Sequence, residues 1–189
     1  MQTHGIPFYP QIWDLNNWEG LGFKSREDAI YWQNSSCGVL CLKMATEALL
    51  TREIDSISKI IEKGKDIGAY SHEKGWSHQG LTKLAEIYGV NAYSSEFLTG
   101  IELKKILSKG GLVIVSIKWA FRCSKSWKER IFFWRKKGGH LALVVGHENE
   151  KGFIVNHTST SQGYNWERRL VPFETFKRGF TGRGIVITN

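Results

Sequence analysis

The hydrophobic period of this chain changes once, near residue 90, and that change restricts the fold more than any other feature. Before it, apolar residues recur at three- and four-residue spacing. Leu40, Met44 and Ala48 follow the capping candidates Ser35 and Ser36. Ile54, Ile57, Ile60 and Ile61 form a second stripe; Leu81, Leu84, Ala85 and Tyr88 form a third, between Ser77 and Gly89. Caps followed by that spacing predict helices over residues 36–50, 55–64 and 77–88. After the change come β-branched runs bounded by glycine: residues 112–117, 140–146, 152–156 and 184–188. These predict strands. Residues 91–96 read as a shorter strand. Residues 100–107 read as one further helix, carrying Ile101, Leu103, Ile106 and Leu107. Residues 1–30 read as irregular, with a short helical turn after Ser25. Residues 158–169 read as polar loop, and residues 171–180 hold one helical turn around Phe173 and Phe176. Helices first and antiparallel strands second predict an α+β fold, a helical half packed on a sheet half.

At 189 residues the expectation is one domain, 1–189, with a sizeable core. A hydrophobic content of 41% excludes disorder. No apolar run reaches the roughly 18 residues of a membrane span. The first ten residues lack the basic and apolar regions of a signal peptide, which favours the cytoplasm, with a mature secreted form as the alternative. Cys37 and Cys41 lie one helical turn apart, poorly placed to bridge each other, and no Cys-x-x-Cys pair occurs. No disulfide framework, metal or cofactor is expected. The net charge of +8 and pI near 9.4 point to an acidic partner. Its densest source is the stretch from Lys118 to Lys137, eight basic residues against the single acid Glu129, interleaved with Trp119, Phe121, Trp127, Phe132, Phe133 and Trp134. It reads as a lid, or as a patch for an anionic surface or polymer. No sequence-specific nucleic-acid motif is present.

The chemistry centres on Cys37. It falls in the first turn of the helix over 36–50, where unpaired backbone N–H groups and the positive dipole end favour thiolate. Gly38 lets backbone approach a substrate. Gln33, four residues upstream, is a candidate donor to an oxyanion. His140 opens a strand after Gly138-Gly139 and is the candidate base. Asn156, sixteen residues on, or His157 beside it, would fix the imidazole tautomer, with Asn156 preferred.

Two motifs carry a resemblance. Cys37-Gly-Val-Leu-Cys41-Leu-Lys-Met44 resembles the cysteine helix of bacteriocin-processing peptidases, which cut leader peptides after a double glycine. Gly139-His140-Leu-Ala-Leu-Val-Val-Gly146 and Phe153-Ile-Val-Asn156-His157 resemble their histidine strand and third-residue strand. Gly75-Trp76 resembles stand-alone bacterial members. The resemblance implies a papain-like fold and a cysteine peptidase acting on a peptide or amide bond. Cys37 would attack, His140 would move the proton and Asn156 would orient it. Gln33 and the Cys37 N–H would form the oxyanion hole. The chain departs from the family twice. Tyr31 stands where the family carries its oxyanion glutamine, and Asn156-His157-Thr158 stands where Asn-Asp-Pro is usual. Two further functions are weighed: another amide chemistry, such as peptide transfer or cell-wall amide cleavage, and a non-catalytic module that binds an anionic partner.

Overall fold

A computed structural model describes residues 5–118, 121 and 139–189. Helices α1 (Arg26–Ser35) and α2 (Cys37–Leu50) are separated by one residue, Ser36. Helices α3 (Ile57–Asp66) and α4 (His78–Ile87) follow, with a small antiparallel hairpin between them, β1 (Tyr70–Ser71) and β2 (Gly75–Trp76). Then come β3 (Asn91–Ser95), α5 (Gly100–Ser108), β4 (Leu112–Ile117), β5 (His140–Glu148), β6 (Gly152–His157), β7 (Trp166–Pro172), α6 (Phe173–Gly179) and β8 (Phe180–Thr188). Strands β3 to β8 form one sheet in the order β3-β8-β4-β5-β6-β7, each neighbouring pair antiparallel.

The α+β expectation therefore holds, and the sheet is covered on both faces. On one face α2 packs with α3 and α4 against Ile114, Leu143 and Ile185. On the other, α5 and α6 pack Leu103, Leu107 and Phe176 against Val113, Val115, Val144 and Val186. This explains why β4 is apolar at every position but Ser116: alternate residues enter two different cores, and every position is buried. Helix α2 buries every residue from Gly38 to Glu47. Leu42 and Met44 are fully enclosed, each contributing about 1.5–3 kcal/mol by area removed from water.

Three elements differ from expectation. Helix α1 runs ten residues where one turn was expected. Its sequence lacks a broad apolar stripe, but Ser25 Oγ accepts from Asp28 N (3.1 Å) and Glu27 and Asp28 sit at its positive end. Strand β7 occupies part of the expected loop. It is an edge strand with alternating partial exposure, so its polar residues hid it. Ser36 stands at the N-cap of α2, yet makes no side-chain capping bond. Its Oγ is buried without a partner.

The segment before α1 is tied down by polar bonds. Tyr9 Oη donates to Glu47 Oε2 (2.6 Å), and Glu47 Oε1 accepts from Lys43 Nζ (2.5 Å) and Ile54 N (2.9 Å). Gln11, 2% exposed, reaches both halves of the molecule. Its Nε2 donates to Gln33 O of α1 (2.6 Å), and its backbone N–H donates to Asn165 Oδ1 (3.1 Å) before β7. Strand β4 ends and β5 begins at the pair Ile117↔His140, so the chain leaves and re-enters the sheet beside His140. Most of the basic stretch read from Lys118 to Lys137 lies outside the described residues, as does Cys123.

Candidate active site

Cys37 is the first residue of α2, half-buried, and the first α2 carbonyl to be used is that of Ser36, by Leu40 N (2.9 Å). Next to it, Gly38 lies against Leu141, Leu81 and Trp76; a Cβ there would sit 3.1 Å from each leucine methyl. This contact brings the start of α2 onto the start of β5. Trp76 of β2 locks the helix break from outside, its Nε1–H donating to Ser35 O (2.8 Å).

His140 opens β5 beside the Cys37 side chain, close enough for each group to shift the other's titration. Its Nε2 lies 2.7 Å from Thr158 O. A carbonyl only accepts, so Nε2 carries a proton, and Nδ1 is the nitrogen left for Cys37. Burial alone would push the Cys37 thiol up. The charge and hydrogen bond of His140, with the backbone N–H groups of Leu141 and Gly38, outweigh burial and hold it below its ordinary value. His140 moves the other way. Burial lowers it, but the Cys37 charge and hydrogen bond and the Thr158 carbonyl leave it raised. Both directions favour a thiolate–imidazolium pair. Cys41, one turn deeper and fully enclosed, is pushed well above its ordinary value by burial and then by Cys37, so it stays a thiol.

The remaining candidates divide. Asn156 is fully buried, but its bonds go elsewhere: Oδ1 accepts from Arg168 N (2.8 Å) and Nδ2 donates to Met44 Sδ (3.7 Å). It pairs with Leu143, three residues along β5 from His140, on the α2 face of the sheet. The expectation that Asn156 orients His140 is thus corrected by register: the position facing the imidazole lies further along the chain, at Thr158. His157 does lie beside His140, ring centroids 4.7 Å apart, but offers it no hydrogen bond. Its Nδ1 lies 2.5 Å from Tyr164 O and so carries the proton, while Nε2 is buried without a partner. Burial, then the charge of His140, lowers His157 to about 4. It is a neutral ring beside that of His140.

Gln33 lies on α1, where Trp13 N–H donates to its Oε1 (2.8 Å). That bond fixes the amide, so Nε2 is the end turned away from Trp13. Tyr31, at the position where the resembled peptidases carry glutamine, bonds to Tyr70 Oη and to His72 Nδ1 (2.7 Å), and so belongs to the β1–β2 hairpin. Sequence reasoning missed Thr158, Gln11 and Asn165. A backbone carbonyl has no side-chain signature, and the other two stand in stretches that read as irregular.

Among the described residues, no group of three or more His, Cys, Asp or Glu is placed to hold a metal ion, and no helix is long and apolar enough to cross a membrane.

The chain matches no protein-family profile and no curated protein. Solved structures are similar in fold. A C39-like peptidase structure from Bacillus anthracis aligns over 100% of this chain and 96% of its own, with a TM-score of 0.61 and 15% identity. A double glycine motif protease from an AMS/PCAT transporter, solved with its leader peptide, aligns over 98% and 93%, at 0.56 and 15%. The peptidase domain of Streptococcus ComA, a bifunctional ABC transporter of quorum sensing, aligns over 82% and 91%, at 0.53 and 15%. A helical layer packed on an antiparallel sheet is the α+β fold that this chain shares with those peptidase domains.

Proposed function

We propose that this chain is a cysteine peptidase-like hydrolase that cleaves a peptide or amide bond. The observation that carries this reading is the juxtaposition of Cys37, at the first turn of α2, with His140, at the start of β5 and held by Thr158 O, each favouring the charged form of the other. The Cys37 thiolate attacks the scissile carbonyl carbon. The Cys37 N–H, joined by Gln33 Nε2, donates to the oxyanion. As the intermediate collapses, the C–N bond breaks and His140 passes its Nδ1 proton to the leaving amine, which leaves a thioester on Sγ. Neutral Nδ1 then takes a proton from water. The hydroxide adds to the thioester, and the acid departs as thiolate and imidazolium re-form.

The substrate class follows by analogy. One structure of similar fold is a double glycine motif protease bound to a leader peptide, and extended peptides containing Gly-Gly are the first substrates to try here. The test incubates a mixed peptide library, with and without Gly-Gly members, with the protein and with Cys37→Ala and His140→Ala variants, and reads products by mass spectrometry. Cleavage by the parent and by neither variant is expected. Equal cleavage by all three, or none by a folded parent on any peptide, speaks against hydrolysis.

A second reading is favoured by one observation. The chain around the basic stretch is anchored at the pair Ile117↔His140. In that reading the protein is a non-catalytic module that binds an anionic surface or polymer through that stretch.

A further inference from the structure

The hydrogen-bond partner of His140 Nε2 is a backbone carbonyl, and the peptide that carries it is held at its N–H by the side chain of Asn165. The peptide between Thr158 and Ser159 is fixed at both ends. Its carbonyl accepts from His140 Nε2–H at 2.7 Å, and its N–H, that of Ser159, donates to Asn165 Oδ1 at 3.0 Å. Asn165 Oδ1 also accepts the Gln11 N–H at 3.1 Å, and Asn165 Nδ2 donates to Ser159 O at 2.7 Å and Ser161 O at 3.4 Å. Gln11 in turn holds Gln33 O, and its Oε1 lies 3.5 Å from Thr158 Oγ1. We propose that Asn165 is the positioning residue for His140, acting through the Thr158–Ser159 peptide, so that the asparagine of a Cys-His-Asn site is present here one peptide bond removed.

The chemistry is that of a hydrogen-bond chain. An acceptor on the N–H end of an amide draws electron density toward its carbonyl oxygen and strengthens the bond that oxygen accepts. When His140 becomes imidazolium, its Nε2–H becomes a charged donor, and the whole chain from Nε2 to Oδ1 tightens. Asn165 therefore favours the imidazolium state without touching the ring. It also fixes the peptide plane, hence the direction in which Nδ1 faces Cys37. No charged acceptor is used. That fits a site in which His157 lies beside His140 where the resembled peptidases carry aspartate. The inference rests on the Cys37–His140 reading above.

Two measurements test it. In the unaltered protein, the Ser159 amide proton is followed by NMR across pH, with Cys37 and His157 as the titratable groups beside His140. It is expected to shift with the midpoint of the His140 ring signals; an amide that does not follow His140 overturns the relay. In parallel, alkylation of Cys37 by iodoacetamide is read by mass spectrometry across pH for the parent, Asn165→Ala and Asn165→Asp. Circular dichroism reports folding. Asn165→Ala is expected to move the profile up by about one pH unit, about tenfold slower at pH 6. Asn165→Asp keeps an acceptor for both N–H groups but turns an oxygen toward Ser159 O and Ser161 O, where Nδ2 donated, and is expected to be displaced less than Asn165→Ala. A folded Asn165→Ala with the parent profile, or Asp and Ala variants displaced equally, overturns the proposal. Equal displacement would mean that Asn165 only packs the loop. If Asn165→Ala does not fold, the Ser159 amide decides. A parent whose Cys37 reacts as an ordinary thiol would remove the Cys37–His140 reading itself. A depressed parent profile unmoved by Asn165→Ala removes only this inference.

Discussion

At the residue scale, the site is set by which atom meets which nitrogen of His140. Thr158 O takes Nε2–H, and Nδ1 is left to Cys37. The candidate nucleophile and base were legible in the sequence because both sit at element starts marked by local signals, a serine-flanked helix start and a Gly-Gly bend. The orienting group was not. Counting sixteen residues from His140 reaches Asn156, but the β5–β6 register pairs Asn156 with Leu143, three residues from His140, where its side chain meets Met44 and Arg168 N instead. Spacing along a chain does not report which residue a strand pairs with. Asn156→Ala is therefore expected to lower stability by about 1–3 kcal/mol in urea unfolding, because it removes the acceptor of Arg168 N–H, and to leave the alkylation profile of Cys37 in the folded protein unchanged.

His157 supplies a pH prediction of definite sign. In the unfolded chain it takes a proton near 6.5; folded, it resists until about 4. Between those values the unfolded state binds more protons, so stability falls as pH falls through that window, by roughly 3 kcal/mol in all, and is flat in this contribution below it. Urea denaturation from pH 7 to pH 4 measures the slope. His157→Gln is expected to flatten it, and an unchanged slope would place the acid sensitivity elsewhere.

At the element scale, the break between α1 and α2 is the determining feature. Ser36 alone separates two helices, and Trp76 of β2 caps the break through Ser35 O. The Trp76 indole is held against Gly64 of α3, where an added Cβ would come within 2.5 Å of the ring. Gly64→Ala is expected to cost about 1–3 kcal/mol by overpacking, and to slow Cys37 alkylation more than a distant substitution of equal cost, because the displaced ring releases the α1–α2 break. Thermal unfolding and alkylation on the same sample separate the two effects. The main helices and central strands were readable from period and punctuation. Helix α1 and strand β7 were not, since one is stabilised by its cap and dipole and the other by its place at the sheet edge, rather than by apolar pattern.

At the scale of the whole molecule, a segment that reads as irregular joins the two halves. Tyr9 anchors it to the buried Lys43–Glu47 pair in α2, and Gln11 joins α1 to the loop that holds His140. Glu47→Ala leaves Lys43 buried against backbone carbonyls without its carboxylate, and is expected to destabilise by about 3–5 kcal/mol. Chemical denaturation measures it, and a loss under 1 kcal/mol would show that the pair contributes little. The charge of +8 bears on partners rather than on fold. Binding to anionic vesicles is expected at low salt and to weaken steeply as salt rises, and a variant with Lys125, Lys128, Arg135 and Lys136 changed to Ser is expected to lose it. Equal binding by parent and variant at both salts would exclude that segment as the anionic patch.

The central claim, that Cys37 and His140 act as one nucleophilic unit, is tested most directly by the pH dependence of Cys37 alkylation in the parent and in His140→Ala, read by mass spectrometry with Cys41 as the buried internal control. The expected result is a parent profile with its midpoint below the roughly 8.5 of an ordinary thiol, moved up to or above that value when the imidazole is removed, with Cys41 unreactive in both. Parent and His140→Ala profiles that coincide near 8.5 would contradict it.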